Sequence, residues 1–386
     1  MSGSATTAVS APSPRNSPRN RPPFRADHVG SLLRPPALAE ARAARKAGSL
    51  SAESLRNTED ECIIRAIRKQ EEIGLRAATD GEYRRAYWHY DFVSGLEGVE
   101  IYEPEQKIQF QGNVPLPHAL RVTSPIAWKQ PVMLDHFQFL AQHVRTAIPK
   151  QTIPSPSVVH FRGGRGAIDR KAYPDLDRFF ADLGEAYRQA VAAFGAAGCR
   201  YLQLDEVYIA YLCDPAQIEG LKARGEHVEN LLDTYARLIN HAISGKPDGM
   251  TISMHLCRGN FRSTWVASGG YEPVAEVLFN RINADAYFME YDTERAGGFE
   301  PLRFVPRGNK IVVLGLVTTK TGKLESKDEL KRRIDAASKY LPLEQLALSP
   351  QCGFASTEHG NLLSEEEQWA KLRLCVEVAQ EVWGGV

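Results

Sequence analysis

The stretch Gly249-Met250-Thr251-Ile252-Ser253-Met254-His255-Leu256-Cys257-Arg258-Gly259-Asn260 is an apolar-rich run followed directly by a histidine and a cysteine two residues apart. The apolar run predicts a short buried strand, so His255 and Cys257 come at or just past its C-terminal end. An imidazole nitrogen and a thiolate at this spacing can bind one metal ion. A lone His-x-Cys pair is more often an accident of composition, so the remaining chain must supply further ligands.

Short apolar runs of this kind recur along the chain and alternate with longer helical patterns. The eight predicted strands cover residues 26–29, 77–79, 152–153, 200–204, 251–254, 286–289, 311–314 and 346–348. The predicted helices cover residues 52–73, 175–197, 229–243, 271–280, 328–340 and 365–382. Two of these helices begin with the capping-box pattern, a Ser followed three residues later by Glu, in the pairs Ser326/Glu329 and Ser364/Glu367. Strands that alternate with helices indicate β/α units on a parallel sheet.

Eight such units predict an α/β fold, a (β/α)8 TIM barrel over residues 25–386, with the chemistry at the C-terminal ends of the strands. An open dinucleotide-binding sheet would carry a G-x-G-x-x-G turn after a strand, and the sequence has none. Residues 91–149 are too long for an ordinary connection, so we predict an inserted excursion after strand 2, with strand character at residues 101–110. Residues 1–24, rich in Ser, Pro, Ala and Arg, predict a disordered N-terminal tail.

The amino-acid composition narrows the range of functions expected for this protein. The 47 basic and 47 acidic residues balance, so no overall field favours nucleic acid or an anionic membrane, and a small-molecule ligand is expected. The sequence has neither an apolar run of about 18 residues nor the apolar segment of a secretory signal, which predicts a cytoplasmic protein. The six cysteines are scattered, which indicates reduced thiols instead of a disulfide framework. Nothing in the sequence indicates an oligomeric state.

Residues after the predicted strands bring soft and polar ligands to one end of the barrel. His255 and Cys257 belong to the fifth strand end, Glu290 follows the sixth and Cys352 follows the eighth. One nitrogen, two sulfurs and one oxygen form a tetrahedral set suited to Zn²⁺. Taken singly, Cys352 could be a packing residue and Glu290 a salt-bridged carboxylate. Their joint appearance at strand ends favours the zinc site.

The ligand types indicate the kind of chemistry. Two thiolate ligands make a zinc ion electron-rich, which suits activation of a substrate thiol better than hydrolysis. Hydrolytic zinc sites more often include an H-E-x-x-H helix, which the sequence lacks. We therefore predict alkylation of a thiol.

Further polar residues at strand ends are candidates for substrate binding. Asp205 and Glu82 carry carboxylates that could bind an ammonium group, although an ion-pair network with nearby arginines is an equally good interpretation. Gly30 and Ser31 offer backbone N–H groups and a hydroxyl to a substrate carboxylate. A simple turn is the more common role of such a pair.

Taken together, these motifs resemble the catalytic barrel of the cobalamin-independent methionine synthases, and more closely the short single-barrel relatives of that family. The resemblance extends from about residue 25 to the C-terminus. In chain order it is carried by Asp27-His28-Val29-Gly30-Ser31, Asp80-Gly81-Glu82, Gln203-Leu204-Asp205-Glu206, His255-Leu256-Cys257-Arg258-Gly259-Asn260, Met289-Glu290 and Ser349-Pro350-Gln351-Cys352-Gly353. It implies methyl transfer to the thiolate of homocysteine, which gives methionine. The zinc ligands implied by the resemblance are His255, Cys257, Glu290 and Cys352.

Substrate contacts also follow from the resemblance. The homocysteine carboxylate is expected at Gly30 and Ser31, and its ammonium group at Glu82 and Asp205. Orientation of the two substrates and activation of the thiol would then account for most of the catalysis.

On the methyl-donor side the sequence departs from the family. Full-length methionine synthases have a second, N-terminal barrel that helps to hold a polyglutamated folate, and 386 residues leave no room for one. Thr318 and Lys320 stand where the large enzymes carry Asp-x-His, whose histidine is thought to protonate the departing folate. Lys320, together with Asp205, is therefore a candidate catalytic residue. Residues 154–164 are predicted to line the donor side, with His160 as either a structural or a substrate-binding residue, and the donor is a folate, a corrinoid or another methylated compound.

Two other functions stay open. Within the same superfamily, a zinc enzyme could alkylate another thiol of the coenzyme M type, using an epoxide or a methyl-corrinoid. A sulfonate thiol has no ammonium group to match Glu82 and Asp205, which favours an amino-acid thiol. A zinc-stabilised barrel with a binding or regulatory role and no catalysis is the alternative from another class.

Overall fold

Short strands alternate with helices throughout the described part of the chain. The computed structural model describes residues 19–103, 109–110, 114–115 and 118–386. The strands are β1 (Ala77–Ala78), β2 (Glu97–Tyr102), β3 (Gln109–Phe110), β4 (Val114–Pro115), β5 (Ala119–Ala127), β6 (Ile148–Pro149), β7 (Gln151–Pro154), β8 (Tyr201–Glu206), β9 (Thr251–Leu256), β10 (Ala286–Glu290), β11 (Ile311–Val317) and β12 (Leu346–Pro350). The α-helices are α1 (Pro36–Lys46), α2 (Ala52–Glu72), α3 (Tyr90–Val93), α4 (Leu134–His143), α5 (Val158–Phe161), α6 (Leu176–Ala196), α7 (Tyr208–Tyr211), α8 (Pro215–Ala223), α9 (Val228–Ile243), α10 (Glu272–Arg281), α11 (Lys327–Ser338) and α12 (Glu365–Trp383).

A six-stranded parallel sheet forms the centre of the molecule. Its order, β7-β8-β9-β10-β11-β12, follows the chain, so each strand lies beside the next one in sequence. Every residue of β8, β10, β11 and β12 is buried. Continuous burial is typical of parallel strands covered on both faces by crossover helices. The predicted α/β fold is confirmed, and all eight predicted strand positions lie in or next to parallel pairings.

At its two ends the sheet approaches the first strands of the chain without closing. On one side β1 pairs with β6, which lies one residue before β7. On the other side Ala26 forms a single parallel bridge to Leu348 of β12. Among the described residues no ladder joins the Ala26 segment to β1, which has only two residues, although Leu32 N–H donates to Gly81 O at 3.0 Å. The predicted closed eight-stranded ring is therefore not formed by strand pairing, because these first two strands are too short to build a ladder.

Additional elements occupy the long connection between β1 and β6. In the described part of this connection, β2 pairs antiparallel with β5, and β3 with β4. The predicted strand at residues 101–110 corresponds to the end of β2 and to β3, while residues 104–108 lie outside the described residues. Whether this connection is an excursion over the barrel mouth stays a prediction.

Both capping-box serines begin a helix, as predicted. Ser326 Oγ accepts a hydrogen bond from Glu329 N at 3.2 Å at the start of α11. At α12 the box is reciprocal, because Ser364 Oγ accepts from Glu367 N while Ser364 N donates to Glu367 Oε2 at 2.7 Å. These side chains satisfy backbone groups that the first helical turn leaves unpaired.

Close packing begins before residue 25. Of the predicted tail, residues 1–18 lie outside the described residues. Phe24 is fully buried, and the Arg76 guanidinium lies 4.6 Å from the centre of its ring. The end of the predicted tail, residues 19–24, therefore includes residues that pack against the folded chain.

An ion pair in the interior connects the first segment to the sheet. Lys150, between β6 and β7, places Nζ 3.2 Å from Asp27 Oδ1, and both side chains are fully buried. Tyr201 Oη donates to Asp27 Oδ2 at 2.9 Å, and Nζ of Lys150 lies 4.1 Å from the centre of the Phe288 ring. The ion pair thus joins the segment around Asp27 to the region of the third predicted strand. It connects the first segment to the sheet although the described residues contain no ladder between the first and second predicted strands.

The described helices include none that is both long enough and apolar enough to cross a membrane.

Candidate metal centre and adjoining cavity

Four buried side chains meet at the C-terminal edge of the parallel sheet. His255 lies in β9, Glu290 ends β10, and Cys257 and Cys352 follow β9 and β12. Each offers one ligand atom, and these atoms all lie within 4.8 Å of one another. The two Sγ atoms are 3.7 Å apart. Two sulfurs about 2.3 Å from a tetrahedral zinc ion lie about 3.8 Å apart, so the spacing fits a metal ion of this kind.

His255 has unused hydrogen-bonding capacity. Its side chain is buried, and neither ring nitrogen forms a hydrogen bond with a described oxygen or nitrogen atom, which leaves the Cys352 sulfur as a polar neighbour of the ring. A buried polar atom without a partner costs free energy, so such atoms are rare in folded proteins. A metal ion bound to one ring nitrogen would remove part of this cost.

The sulfur atoms of the cluster influence each other's protonation. Contact with Cys257 holds the pKa of the Cys352 thiol well below its usual range, while contact with Cys352 raises the pKa of Cys257. Burial raises the pKa of Glu290, and the nearby cations Lys320 and Arg295 oppose that rise. The cluster therefore favours a first thiolate at Cys352, which is the form a metal ion requires.

Surrounding side chains hold Glu290 in place. Arg295 Nη2 lies 3.2 Å from Oε2 of Glu290, and Gln351 Nε2 donates to Oε1 at 3.4 Å. The hydroxyl of Tyr271 accepts from Glu290 N at 3.0 Å and lies 3.3 Å from Leu256 O, so it connects the ends of β9 and β10. Contacts of this kind orient metal ligands in proteins.

A cavity opens beside the cluster. The residues that line it include His255, Cys257 and Cys352. Ser31 lines it as well, together with four charged side chains: Glu82, Arg85 and Arg162, which come after other strands, and Asp205, which lies in β8. The cavity thus combines the soft ligands with groups that can bind the ends of an amino acid.

Asp205 is the acidic group of the cavity that lacks a charged partner. It lies opposite His255 in the register of β8 and β9 and accepts a hydrogen bond from Gln203 Nε2 at 2.8 Å. In the described part of the chain it forms no ion pair with Lys or Arg within 4.0 Å. Burial raises its pKa. Asp205 is therefore available to a cationic ligand.

Glu82, by contrast, is already engaged. It forms an ion pair with Arg85 and accepts a hydrogen bond from Thr152 Oγ1 at 2.7 Å. Its φ of 59° is left-handed, which is uncommon for a residue with a Cβ atom and is often found at functional sites. Of the two interpretations of Glu82, the ion pair with an arginine is present, and this pair lines the cavity.

Gly30 and Ser31 differ in their positions. Ser31 lines the cavity, and its Oγ accepts from Ala355 N at 3.3 Å. Gly30 has a φ of 145°, and a Cβ atom there would lie 2.5 Å from Glu82 Oε1. Gly30 is not among the lining residues; its lack of a side chain makes room for the Glu82 carboxylate.

Two predicted site residues do not reach the cavity. His160 contacts the Tyr235 hydroxyl at 2.9 Å and Glu226 Oε2 at 3.6 Å, and burial lowers its pKa to about 4. Lys320 lies near the candidate metal ligand Glu290, but its Nζ pairs with Asp292 Oδ2 at 3.2 Å. Neither residue lines the cavity in the described structure, because each side chain is held by partners outside it.

Other lining residues did not appear among the predicted site residues. They include Trp88, Arg162, Tyr211 and Asn260. Asn260 and Arg162 fall inside stretches that the sequence had singled out, residues 249–260 and 154–164. Trp88 and Tyr211 carried no signal beyond following a strand, so sequence reasoning could not have identified them.

The comparisons of this chain with a protein family, with related sequences and with solved structures agree with one another. Residues 24–381 match the family described as "Cobalamin-independent synthase, Catalytic domain". The uncharacterized protein YxjG of Bacillus subtilis (strain 168) is 49% identical over 366 residues, covering 95% of this chain and 96% of YxjG. A crystal structure of a candidate vitamin-B12 independent methionine synthase from Listeria monocytogenes is 42% identical, with a TM-score of 0.78 and coverage of 95% and 100%. A B12-independent methionine synthase from Shewanella sp. W3-18-1 in complex with selenomethionine is 18% identical, with a TM-score of 0.71 and coverage of 93% and 97%, which shows similarity of fold.

Proposed function

Because this chain belongs to the family of the cobalamin-independent synthase catalytic domain, we propose that it transfers a methyl group to the sulfur of homocysteine and so forms methionine. The observation that carries the proposal is the buried cluster of His255, Cys257, Glu290 and Cys352 at the wall of a cavity. The acidic residue Asp205 in the same wall supports an amino-acid substrate.

We further propose that the cluster holds Zn²⁺ through His255, Cys257, Glu290 and Cys352. The donor set of one nitrogen, two sulfurs and one oxygen suits zinc better than magnesium or calcium. A zinc ion there would supply a Lewis acid that lowers the pKa of a substrate thiol toward neutrality.

The residues of the chain itself would orient the amino acid. Asp205 would bind the ammonium group, with Glu82 beside it, because a buried carboxylate without a cation is stabilised by a positive ligand. The hydroxyl and backbone N–H of Ser31 would donate to the carboxylate. Such positioning places the sulfur toward the cluster and the methyl donor, and orientation of this kind lowers the barrier of a two-substrate reaction.

During the transfer a bond forms between the homocysteine sulfur and the methyl carbon while the bond from that carbon to the donor breaks. The electron pair of the broken bond stays with the donor. We propose that Lys320 assists indirectly, since its ammonium group pairs with Asp292 and lies close enough to influence Glu290. The donor is a methyl-folate, a methyl-corrinoid or another methylated compound.

The architecture that we propose for this function is a (β/α)8 barrel with an excursion after strand 2. The bridge between Ala26 and Leu348 and the hydrogen bond from Leu32 to Gly81 support it, because they bring the first strand next to both of its neighbours in a barrel. The similarity of fold to the Shewanella methionine synthase is in agreement.

The proposed function is tested by metal analysis with a thiol titration. We expect about one zinc per chain, and in the cobalt-substituted protein an absorption spectrum that changes when L-homocysteine is added. Screening methyl-folates, methylcobalamin and methylated small molecules against homocysteine should then identify the donor by methionine formation. Coenzyme M is the control thiol, and a response to it instead of homocysteine would favour the alternative alkylation. A bound metal that responds to no thiol would point to a non-catalytic barrel.

Asp205→Asn is expected to reduce kcat/KM for homocysteine by about 10- to 100-fold, because a charge-assisted hydrogen bond to the ammonium group is lost. The amide keeps the shape of the side chain and can still accept from Gln203. Metal content should stay unchanged. Steady-state kinetics at varied homocysteine measure the effect, and binding of 4-mercaptobutyrate, which has no ammonium group, is the control. Equal losses for both thiols would contradict a role of Asp205 in binding the ammonium group.

A further inference from the structure

Two guanidinium groups line the cavity, and only one of them has a carboxylate partner. Arg85 forms an ion pair with Glu82. Arg162 follows α5 directly and lines the same cavity, but it forms no ion pair within 4.0 Å with any described residue. The cavity wall therefore contains a guanidinium group that has no direct ion-pair partner among the described residues.

The partners of Arg162 are neutral. Its Nε donates to the hydroxyl of Tyr208 at 2.9 Å, and its Cζ lies 6.0 Å from the centre of the Tyr208 ring. Its Nη1 is buried and has no hydrogen-bond partner among the described residues. Arg162 thus has hydrogen-bond donors that remain unused in a site lined by metal-ligand candidates.

Glu206, two residues before the Tyr208 that accepts from Arg162, does not serve as a counter-ion. One of its carboxylate oxygens accepts from Ser157 Oγ at 2.6 Å, and the other accepts from the backbone N–H groups of Tyr208 and Ile209 at 2.7 and 3.0 Å. These contacts already use both oxygens. The Glu206 side chain is fully buried, and these three hydrogen bonds replace the water contacts that the carboxylate has lost. Glu206 therefore forms no ion pair with Arg162.

The position of Arg162 is fixed by packing. Tyr208, whose hydroxyl accepts from Arg162 Nε, stacks its ring on Phe161 with ring centres 4.5 Å apart, and it also contacts Tyr211. Arg162 itself is half-buried at the cavity wall. An arginine held in this way is pre-organised, so little conformational entropy remains to be lost when an anion binds.

We propose that Arg162 is an anion-binding residue of the cavity, in addition to Ser31, and receives a carboxylate or another anionic oxygen group of a substrate. A guanidinium group that is partly withdrawn from water loses hydration free energy, and neutral hydroxyl groups replace only part of it. An anionic oxygen compensates for the rest through short, charge-assisted hydrogen bonds. This assignment rests on the proposed function for the identity of the substrates. The anionic group comes either from the amino acid or from the methyl donor.

The test compares Arg162→Gln with the wild-type chain, both loaded with zinc, by isothermal titration calorimetry. The probes are L-methionine, its decarboxylated analogue 3-(methylthio)propylamine, 5-methyltetrahydrofolate and methylcobalamin. If Arg162 binds the amino-acid carboxylate, the variant should bind L-methionine at least about tenfold more weakly and the amine equally well. If it binds the donor, L-methionine binding should stay the same while that of 5-methyltetrahydrofolate or methylcobalamin falls by at least about tenfold.

Two further variants separate binding from folding. Arg165→Gln is the matched control, because the Arg165 guanidinium donates to the backbone carbonyls of Ile168 and Tyr173 and does not line the cavity. It should bind every probe as the wild type does. Arg162→Lys, which keeps the positive charge, should recover part of the affinity lost in Arg162→Gln.

A wild-type chain that binds none of the anionic probes, or an Arg162→Gln variant that binds all of them within about twofold of the wild type, overturns the anion site. Failure of the proposed function has a different signature. It would appear as the absence of methionine formation by the wild type, while the effect of Arg162→Gln on anion binding would persist.

Discussion

Replacing Cys257 or Cys352 with Ser is expected to remove the bound metal and to reduce methionine formation by at least about a thousandfold, because thiol activation by a metal contributes several kcal/mol. Each sulfur is one of four donor atoms within 4.8 Å of one another. A serine hydroxyl is a poor ligand for zinc at neutral pH compared with a thiolate. Metal content by mass spectrometry and methyl-transfer rates measure the two effects.

Cys62→Ser is the matched control for these ligand variants. Cys62 is equally buried, but it lies on α2 and its sulfur accepts a hydrogen bond from Arg65. This variant should keep its zinc and its activity, and thermal unfolding will show whether each protein is folded. If metal content survives in both Cys257→Ser and Cys352→Ser, the assigned ligands are wrong.

Lys150→Met is expected to lower the free energy of unfolding by about 3–5 kcal/mol, because it leaves the buried carboxylate of Asp27 without a positive partner. Both charged groups are fully buried, 3.2 Å apart. The double variant Asp27→Asn with Lys150→Met should recover much of this loss, since it leaves no buried charge in the pair. Urea unfolding at pH 7 measures the stability of each variant.

An exposed ion pair provides the comparison for Lys150. Lys129 pairs with Glu97 at 2.6 Å, but both side chains are largely exposed to solvent. Lys129→Met should change stability by no more than about 1 kcal/mol, which is the usual range for surface pairs. A loss of similar size in Lys150→Met would show that the buried pair does not anchor the first segment.

Local sequence was sufficient for most of the secondary structure. The predicted helices at residues 365–382 and 328–340 begin where their Ser caps place them, in α12 and α11, because a cap and its Glu are within four residues. The buried strands β9 and β10 could be predicted from short apolar runs, because such a run also lies within a few consecutive residues. The extent of pairing between the first two strands could not be predicted from the sequence. The length of a ladder depends on how many residues of two distant segments lie side by side in the folded chain.

The meeting of the four candidate metal ligands was predictable, whereas most of the cavity was not. Four candidate ligand residues at the C-terminal ends of parallel strands are expected to come close together, since the ends of such strands meet at one edge. His160 satisfied the same rule of position and yet is held by Tyr235 and Glu226 outside the cavity. The direction of a side chain in the segment after a strand depends on neighbours that the sequence does not place beside it.

The sequence by itself therefore determined the α/β fold, the approximate boundaries of the six helices predicted from it, and the set His255, Cys257, Glu290 and Cys352, because each follows from short-range pattern or from position on a strand. Only the tertiary structure decided which charges have partners. Asp27 meets Lys150 across 123 residues of chain, Glu82 meets Arg85 within a turn, and Arg162 is left with neutral partners in the cavity wall. Charge pairing is a property of packing, since it depends on which surfaces the folded chain brings within a few ångströms of each other.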